Sequence, residues 1–298
     1  MKLIIQPDDG IAPLLVAIKR AKKTIDIVIF RFDRMELEKA LAAAVGRGVV
    51  VRALVAHTNR GGEKRLRKLE MSFLASGVTV CRTADDLTRH HGKMMIVDGE
   101  LYVFGFNFTE LDINRSRSFG LSTKDASLVK AALALFQADS TRQPYEATHD
   151  RLVVSPETTR KLLSDFIKGA KKELLIYDEK VSDKAMVKLL RERAAAGVEI
   201  KIIGKLIPPV PGISTVKGRL RLHVRAMIRD RKAVFVGSQS LRRPQIDGRR
   251  EIGLIAPHSN VASAMGKVFD QDWAEAMPKQ DAREKEAPEA AAEPALAR

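Results

Sequence analysis

Only one of the 298 residues is cysteine, Cys81, so no disulfide can form within the chain. It lies in residues 78–83, a stretch that reads as a strand, where a buried structural thiol is expected. Aromatic residues make up 5% of the chain, which leaves few platforms on which unpaired bases might stack. No apolar run approaches the ~18 residues that a membrane span requires. The first ten residues carry Asp8 and Asp9 and lack the apolar centre of a signal peptide. These absences together point to a cytoplasmic protein that meets a membrane, if at all, peripherally and at its inner face. Neither an HExxH pattern nor a Cys/His cluster occurs, so the metal and cofactor expectation is none.

Basic residues, in contrast, are plentiful. Lys and Arg number 52 against 37 acidic residues, a formal charge of +15. Such a surplus favours an anionic partner, nucleic acid or an acidic lipid surface, over a neutral one. An apolar fraction of 45% with 30% charged residues is that of a globular chain, long enough for one large domain or two modest ones.

The chain repeats itself. Ala21-Lys22-Lys23 opens the apolar run 25–30, and Ala170-Lys171-Lys172 opens 174–177. Gly48-Val49-Val50-Val51-Arg52 answers Gly197-Val198-Glu199-Ile200-Lys201 at the same offset of 149 residues. Residues 1–150 and 151–276 therefore read as two copies of one unit. In each copy a helix (12–22; 156–169) leads to a strand (24–30; 173–177), then a second helix (35–45; 182–195) to a second strand (49–55; 198–204). Helical apolar spacing alternating with short β-branched runs marks an α/β protein. The copies then diverge. The first inserts 58–89, with a charged helix near 63–74, whereas the second has a Pro-rich link within 205–221, read as a shortcut that replaces a helix rather than as a lid. Residues 277–298, rich in Ala, Glu and Pro, read as a disordered tail.

After each divergent loop comes the same constellation: His91, Lys93 and Asp98 in the first copy, and His223, Arg225 and Asp230 in the second. On an extended segment residues i and i+2 share a face, so His91 with Lys93, and His223 with Arg225, are expected to point together into the space between the copies. Two histidines and two cations on one wall suit phosphoryl transfer. A neutral imidazole attacks phosphorus, and a protonated one supplies the leaving group's proton. The cations hold the non-bridging oxygens. His90 would face the opposite way as a structural or surface residue, His57 is a loop histidine by default, and Trp273 reads as core. Arg115, Arg117, Arg242, Arg243, Arg249 and Arg250 either ring the cleft or form a solvated basic face.

His91-x-Lys93-x4-Asp98 resembles the hallmark motif of the phospholipase D superfamily, and His223-x-Arg225-x4-Asp230 resembles its second copy. The flanks agree: Gly237-Ser238-Gln239-Ser240 and Gly105-Phe106-Asn107-Phe108-Thr109 are similar to the family's Gly-Ser-x-Asn segment. The resemblance implies two phospholipase D-like α/β/α sandwich halves related by a pseudo-twofold axis, with one active site at their interface, for which a monomer suffices. It implies catalytic roles for the two motifs and a phosphohistidine intermediate, with Asn107, Thr109, Ser238 and Ser240 binding substrate. Arg225 stands in place of the family lysine, and Ser240 where Asn is usual. The family often adds a downstream acid that orients the catalytic histidine. Glu251 supplies one in the second copy, hence for His223, while Ser118 occupies the matching place in the first. Family precedent makes His91 the nucleophile and His223 the acid/base, although the carboxylate beside His223 allows the reverse. The substrate implied is a phosphodiester. A phospholipid is preferred (hydrolysis, or phosphatidyl transfer as in cardiolipin synthase-like members), with nucleic acid as the alternative and binding without turnover as the third reading.

Overall fold

The computed structural model describes residues 1–57 and 63–277; all but the first residue of the expected tail lies outside them. The first half runs β1 (Lys2–Gln6), α1 (Ala12–Arg20), β2 (Thr24–Ile29), α2 (Met35–Gly46), β3 (Val50–Val55), α3 (Glu63–Ala75), β4 (Thr79–Arg82), β5 (Met94–Val97), β6 (Glu100–Phe104), α4 (Glu110–Asn114), β7 (Ser116–Thr123) and α5 (Ala126–Thr141). The second runs β8 (Leu152–Val154), α6 (Thr159–Lys168), β9 (Glu173–Val181), α7 (Lys184–Ala195), β10 (Glu199–Leu206), β11 (Ile213–Val216), β12 (Arg221–Leu222), β13 (Arg225–Arg229), β14 (Ala233–Gly237), α8 (Arg243–Asp247), β15 (Ile252–Ala256) and α9 (Ser259–Ala276).

The duplication read from sequence is a duplication of topology. The first sheet is ordered β1-β7-β6-β5-β2-β3-β4 and the second β8-β15-β14-β13-β9-β10-β11, the same arrangement element for element. In each order, three strands run parallel (β2, β3, β4; β9, β10, β11) and the other strands of the order pair antiparallel, while β12 joins the first sheet in parallel beside β7. The repeated glycines have a local cause. Gly48 and Gly197 follow α2 and α7 at φ +83° and +85°, a conformation that spares glycine the Cβ clash and turns the chain from helix into strand. The Pro-rich link of the second half does replace a helix, and it leads into β11, the counterpart of β4.

Alternation along the strands divides the core into three layers. Met95 and Val97 of β5 pack with α1, α2 and α3, whereas Met94 and Ile96 face a central cluster. That cluster takes residues from both sheets and from α5 and α9, including Phe119, Leu135, Tyr177 and Phe269. The second half has its own outer cluster under α6 and α7. A fully buried side chain of this kind contributes about 1.5–3 kcal/mol, so the shared layer binds the halves into one body. Trp273 stacks on Phe269 at 5.8 Å at the edge of that layer. Cys81 is half-buried rather than buried, because β4 is an edge strand.

Candidate active site

The two histidines sit just before β5 and β13, where each segment leaves its own sheet and crosses to the other half. His91 N–H donates to the Arg250 carbonyl at 2.7 Å, and Arg250 N–H donates to the Arg89 carbonyl at 2.8 Å. In the mirror arrangement β12 pairs in parallel with Ser116 and Arg117 at the start of β7, and His223 N–H donates to the Arg117 carbonyl at 3.4 Å. His91 to Lys93 and His223 to Val224 are therefore crossing segments rather than ladder strand, which corrects the expected placement. Gly92 is required by this crossing, since a Cβ there would stand 2.5 Å from Ile252 of the other half.

Each histidine meets a carboxylate from the opposite half. His91 Nδ1 is 2.8 Å from Glu251 Oε2, so Glu251 serves His91 and not His223. His223 Nδ1 lies 3.3 Å from Oδ2 of Asp112, a residue of α4 that the sequence reading did not single out. Sequence position alone offered Ser118 as the counterpart of Glu251, and its hydroxyl is buried without a partner. The acid came from the neighbouring helix instead, as the second of two acids after the Thr109 cap, which the spacing could not separate from Glu110.

The cations complete the wall. Lys93 is buried, with Nζ 3.0 and 3.1 Å from the two ring nitrogens of His91, and it donates to the His91 carbonyl at 2.6 Å. Phe30 packs edge-on against the His91 ring at 4.5 Å between centroids. Arg225 is buried too. Its nearest carboxylate is Glu179 at 3.6 Å, and its Nε and Nη1 have no hydrogen-bond partner in the protein. Asn107 Nδ2 donates to Asp112 Oδ2 at 2.7 Å and lies 3.4 Å from His223 Nε2.

Burial dominates the electrostatics. It pushes the His91 imidazole down to about 4, with Lys93 and Arg225 adding to the effect and Glu251 opposing it. Burial, with Arg225, likewise brings the Lys93 ammonium down to about 7. His223 falls well below its ordinary value through burial and then through Arg225, Lys93 and His91. Burial works to raise Glu251, but His91, Lys93 and the Ser238 hydroxyl outweigh it and keep the carboxylate ionised. For the coupled pair we take a neutral His91 against an ionised Glu251. The imidazole then donates from Nδ1 and carries its lone pair on Nε2.

Five expected site residues do other work. Asp98 and Asp230 lie at the far ends of β5 and β13, about 16 Å of strand from the crossing segments. Asp98 accepts from the N–H groups of Lys22, Lys23 and Thr24 at 2.7–2.9 Å. Asp230 accepts from Lys171, Lys172 and Glu173 at 2.7–3.1 Å. They are clamps on the turns into β2 and β9, and the repeated Ala-Lys-Lys is the backbone that they hold. Thr109 caps α4 by accepting from Asp112 N–H at 3.2 Å. Ser240 donates to the buried Asp178 at 2.6 Å. Ser238 Oγ donates to the Ile252 carbonyl at 3.4 Å and accepts from Ile252 N–H at 3.1 Å, fixing the start of β15 beside Glu251.

The arginine group divides. Arg117 and Arg250 are buried twins: the first bonds Asp272, Asp8 and the Gln6 carbonyl, the second Asp139, Glu157 and the Ser155 carbonyl. Arg242 lines a cleft of ≈ 510 Å³ at His223, while Arg115 and Arg243 are exposed. His90 faces away into a separate cavity of ≈ 310 Å³, and His57 follows β3 with its N–H on the Thr83 hydroxyl.

The likeness to known proteins follows this geometry. Residues 14–140 match the family described as "Cardiolipin synthase, PLD-like domain". No curated protein matches the sequence. Among solved structures, polyphosphate kinase from Porphyromonas gingivalis superposes with a TM-score of 0.74 at 20% identity over 91% of this chain, which spans half of that longer protein. Phosphatidylserine synthase from Haemophilus influenzae gives a TM-score of 0.70 at 10% identity, covering 92% of this chain and 86% of its own. Residues 14–140 thus resemble a PLD-like domain, and the described chain shares its paired-half α/β fold with both of these solved structures.

Proposed function

We propose that the protein cleaves or transfers phosphodiesters through a phosphohistidine on His91. Nε2 of the neutral imidazole attacks phosphorus, and the bond to the leaving oxygen breaks with its electron pair staying on that oxygen. His223, protonated in the substrate complex, gives the oxygen a proton. Now neutral, it takes a proton from water or an alcohol as that oxygen attacks phosphorus and releases His91. Lys93 and Arg225 hold the non-bridging oxygens, and the two unpaired donors of Arg225 are available for that purpose. The observation that carries this reading is the pair of crossed dyads, His91–Glu251 and His223–Asp112, built across one interface.

Turnover of bis(p-nitrophenyl) phosphate in EDTA tests it. Wild type is expected to release p-nitrophenol, with His91→Ala reducing release at least 10³-fold, roughly the scale of a lost general base or nucleophile. His223→Ala is expected to give a burst of about one equivalent and then stall, because this leaving group departs without a proton while hydrolysis of the phosphohistidine still needs a base. No release by folded wild type favours binding without turnover; release that survives His91→Ala removes the mechanism.

A phospholipid substrate fits the family description of residues 14–140. One observation favours the second reading, an extended polyanion such as a nucleic-acid strand. The cleft that ends at His223 is lined by Lys180, Lys205, Lys217, Arg219, Arg221 and Arg242 with Glu179 as its single acid, a charge pattern that follows a phosphate backbone better than acyl chains. No helix of the described residues is long and apolar enough to cross a membrane. Flotation with acidic liposomes against salt-sensitive DNA binding separates the two.

A further inference from the structure

The two carboxylates differ in what holds their second oxygen. Glu251 Oε1 has no hydrogen-bond partner, and the nearest cation to it, Arg249, is 4.0 Å away. Asp112 Oδ1, in contrast, accepts from Arg221 Nη1 at 2.7 Å, and the same nitrogen donates to Ser116 Oγ at 2.9 Å. Oδ2 of Asp112 accepts from Asn107 N and Asn107 Nδ2, and His223 Nδ1 stands 3.3 Å from it without a hydrogen-bond partner of its own. Arg221 belongs to β12, the strap by which the second half grips β7 of the first, and His223 follows it two residues later. The corresponding residue of the first half, Arg89, stands two before His91, and its guanidinium lies 5.4 Å over Phe30.

We infer that Arg221 is a positioning residue for His223: it holds the Asp112 carboxylate against the imidazole from across the interface and dilutes its negative charge. A cation on the far oxygen makes the carboxylate a weaker partner for an imidazolium. His223 thereby gives up its proton more readily than a histidine on an undivided carboxylate, the property wanted of the group that protonates a leaving oxygen. Arg221 is also 42% exposed and forms part of the cationic cleft, so an anion arriving there meets the residue that sets the state of the dyad. The role assigned to His223 rests on the two-histidine reading above; the test of Arg221 does not.

His223 is faced by Arg225 from β13, Lys93 and His91 from the segment before β5, Arg221 from β12 and Asp112 from α4. Across the cleft stand Glu179, Lys180, Lys205, Lys217, Arg219 and Arg242. All but Arg221 are unchanged in an Arg221→Gln variant and form a constant background. The experiment follows the His223 ring by NMR in the full chain labelled at histidine, with His223→Ala to identify its signal.

Arg221→Gln is expected to raise the His223 titration midpoint by about one unit, a tenfold change in proton affinity. Arg221→Lys, which keeps the charge, is expected to return it most of the way. In an Asp112→Asn background Arg221→Gln is expected to move it by less than a third as much. An unmoved midpoint in folded Arg221→Gln overturns the inference. So does an equal shift with and without Asp112, since the guanidinium would then act directly. If Arg221→Gln does not fold, Arg221→Lys and Ser116→Ala carry the test: Lys must stay close to wild type while Ser116→Ala, which frees Arg221 for Asp112 alone, must leave the midpoint unchanged or lower it. Failure of bis(p-nitrophenyl) phosphate turnover with these shifts intact would overturn the proposed reaction and leave the positioning role standing.

Discussion

The two halves share a fold and a motif, yet their histidines are not equivalent. His91 bonds an ionised, buried carboxylate whose other oxygen has no hydrogen-bond partner, and it has a lysine across both ring nitrogens and an aromatic ring against its edge. His223 stands 3.3 Å from a carboxylate whose hydrogen bonds go to Asn107 and Arg221. A duplicated unit that folds against its copy brings two histidines to one interface, and differences in the surrounding residues give them different surroundings. An undivided carboxylate stabilises the positive charge that develops on a nucleophilic imidazole, whereas a divided one suits proton exchange.

The largest expected effect breaks this asymmetry directly. Glu251→Gln should lower kcat by about 10³-fold, within the range for losing an orienting carboxylate or acid/base partner, and Asp112→Asn by about 10- to 100-fold. Steady-state release of p-nitrophenol measures both, and equal losses would mean that the dyads are interchangeable. Next comes the pH dependence of kcat/KM, which reports the free protein. In the proposed reaction His91 attacks only when deprotonated, so activity should rise as pH passes upward through about 4. The same proposal has Lys93 acting only when protonated, so activity should fall as pH passes upward through about 7. Lys93→Arg should abolish that alkaline limb, because a guanidinium does not titrate in this range.

A third prediction concerns the clamps shared by both halves. Asp98→Asn and Asp230→Asn should each cost about 1–3 kcal/mol in urea unfolding, the scale of hydrogen bonds to a charged group, while kcat is kept. Burial of Asp98 and Asp230 works against their ionisation, but the backbone donors outweigh it and lower both values. Their stabilisation is therefore full above the ordinary carboxylate range and is lost as pH falls through the lowered folded values. The smallest effect is expected of Arg225→Lys: the charge is kept and the fork lost, so kcat/KM should fall less than about tenfold. A larger loss would show that both unpaired guanidinium donors engage the substrate.

Much of the fold is legible in the residues themselves. The offset of 149 residues between Ala-Lys-Lys and Gly-Val segments marks the duplicated topology, because turns and buried strands constrain residue type locally. Spacing also pairs His91 with Lys93 and His223 with Arg225. Asp98 and Asp230 recur just as plainly, but recurrence does not separate a catalytic carboxylate from a structural one. Only the tertiary structure shows that each binds the turn carrying the other repeated segment.

Sequence by itself determined the two copies, their alternating elements and which four basic groups make up the candidate site, since all of these follow from periodicity and short-range spacing. Tertiary structure alone decided which acid serves which histidine. Glu251 is far closer along the chain to His223 than to His91, 160 residues away, yet it bonds His91, and Asp112 reaches His223 from the other half. The physical reason is the crossing of the two segments at a shared apolar layer. Burial across that layer brings together groups whose separation along the chain carries no record of the contact.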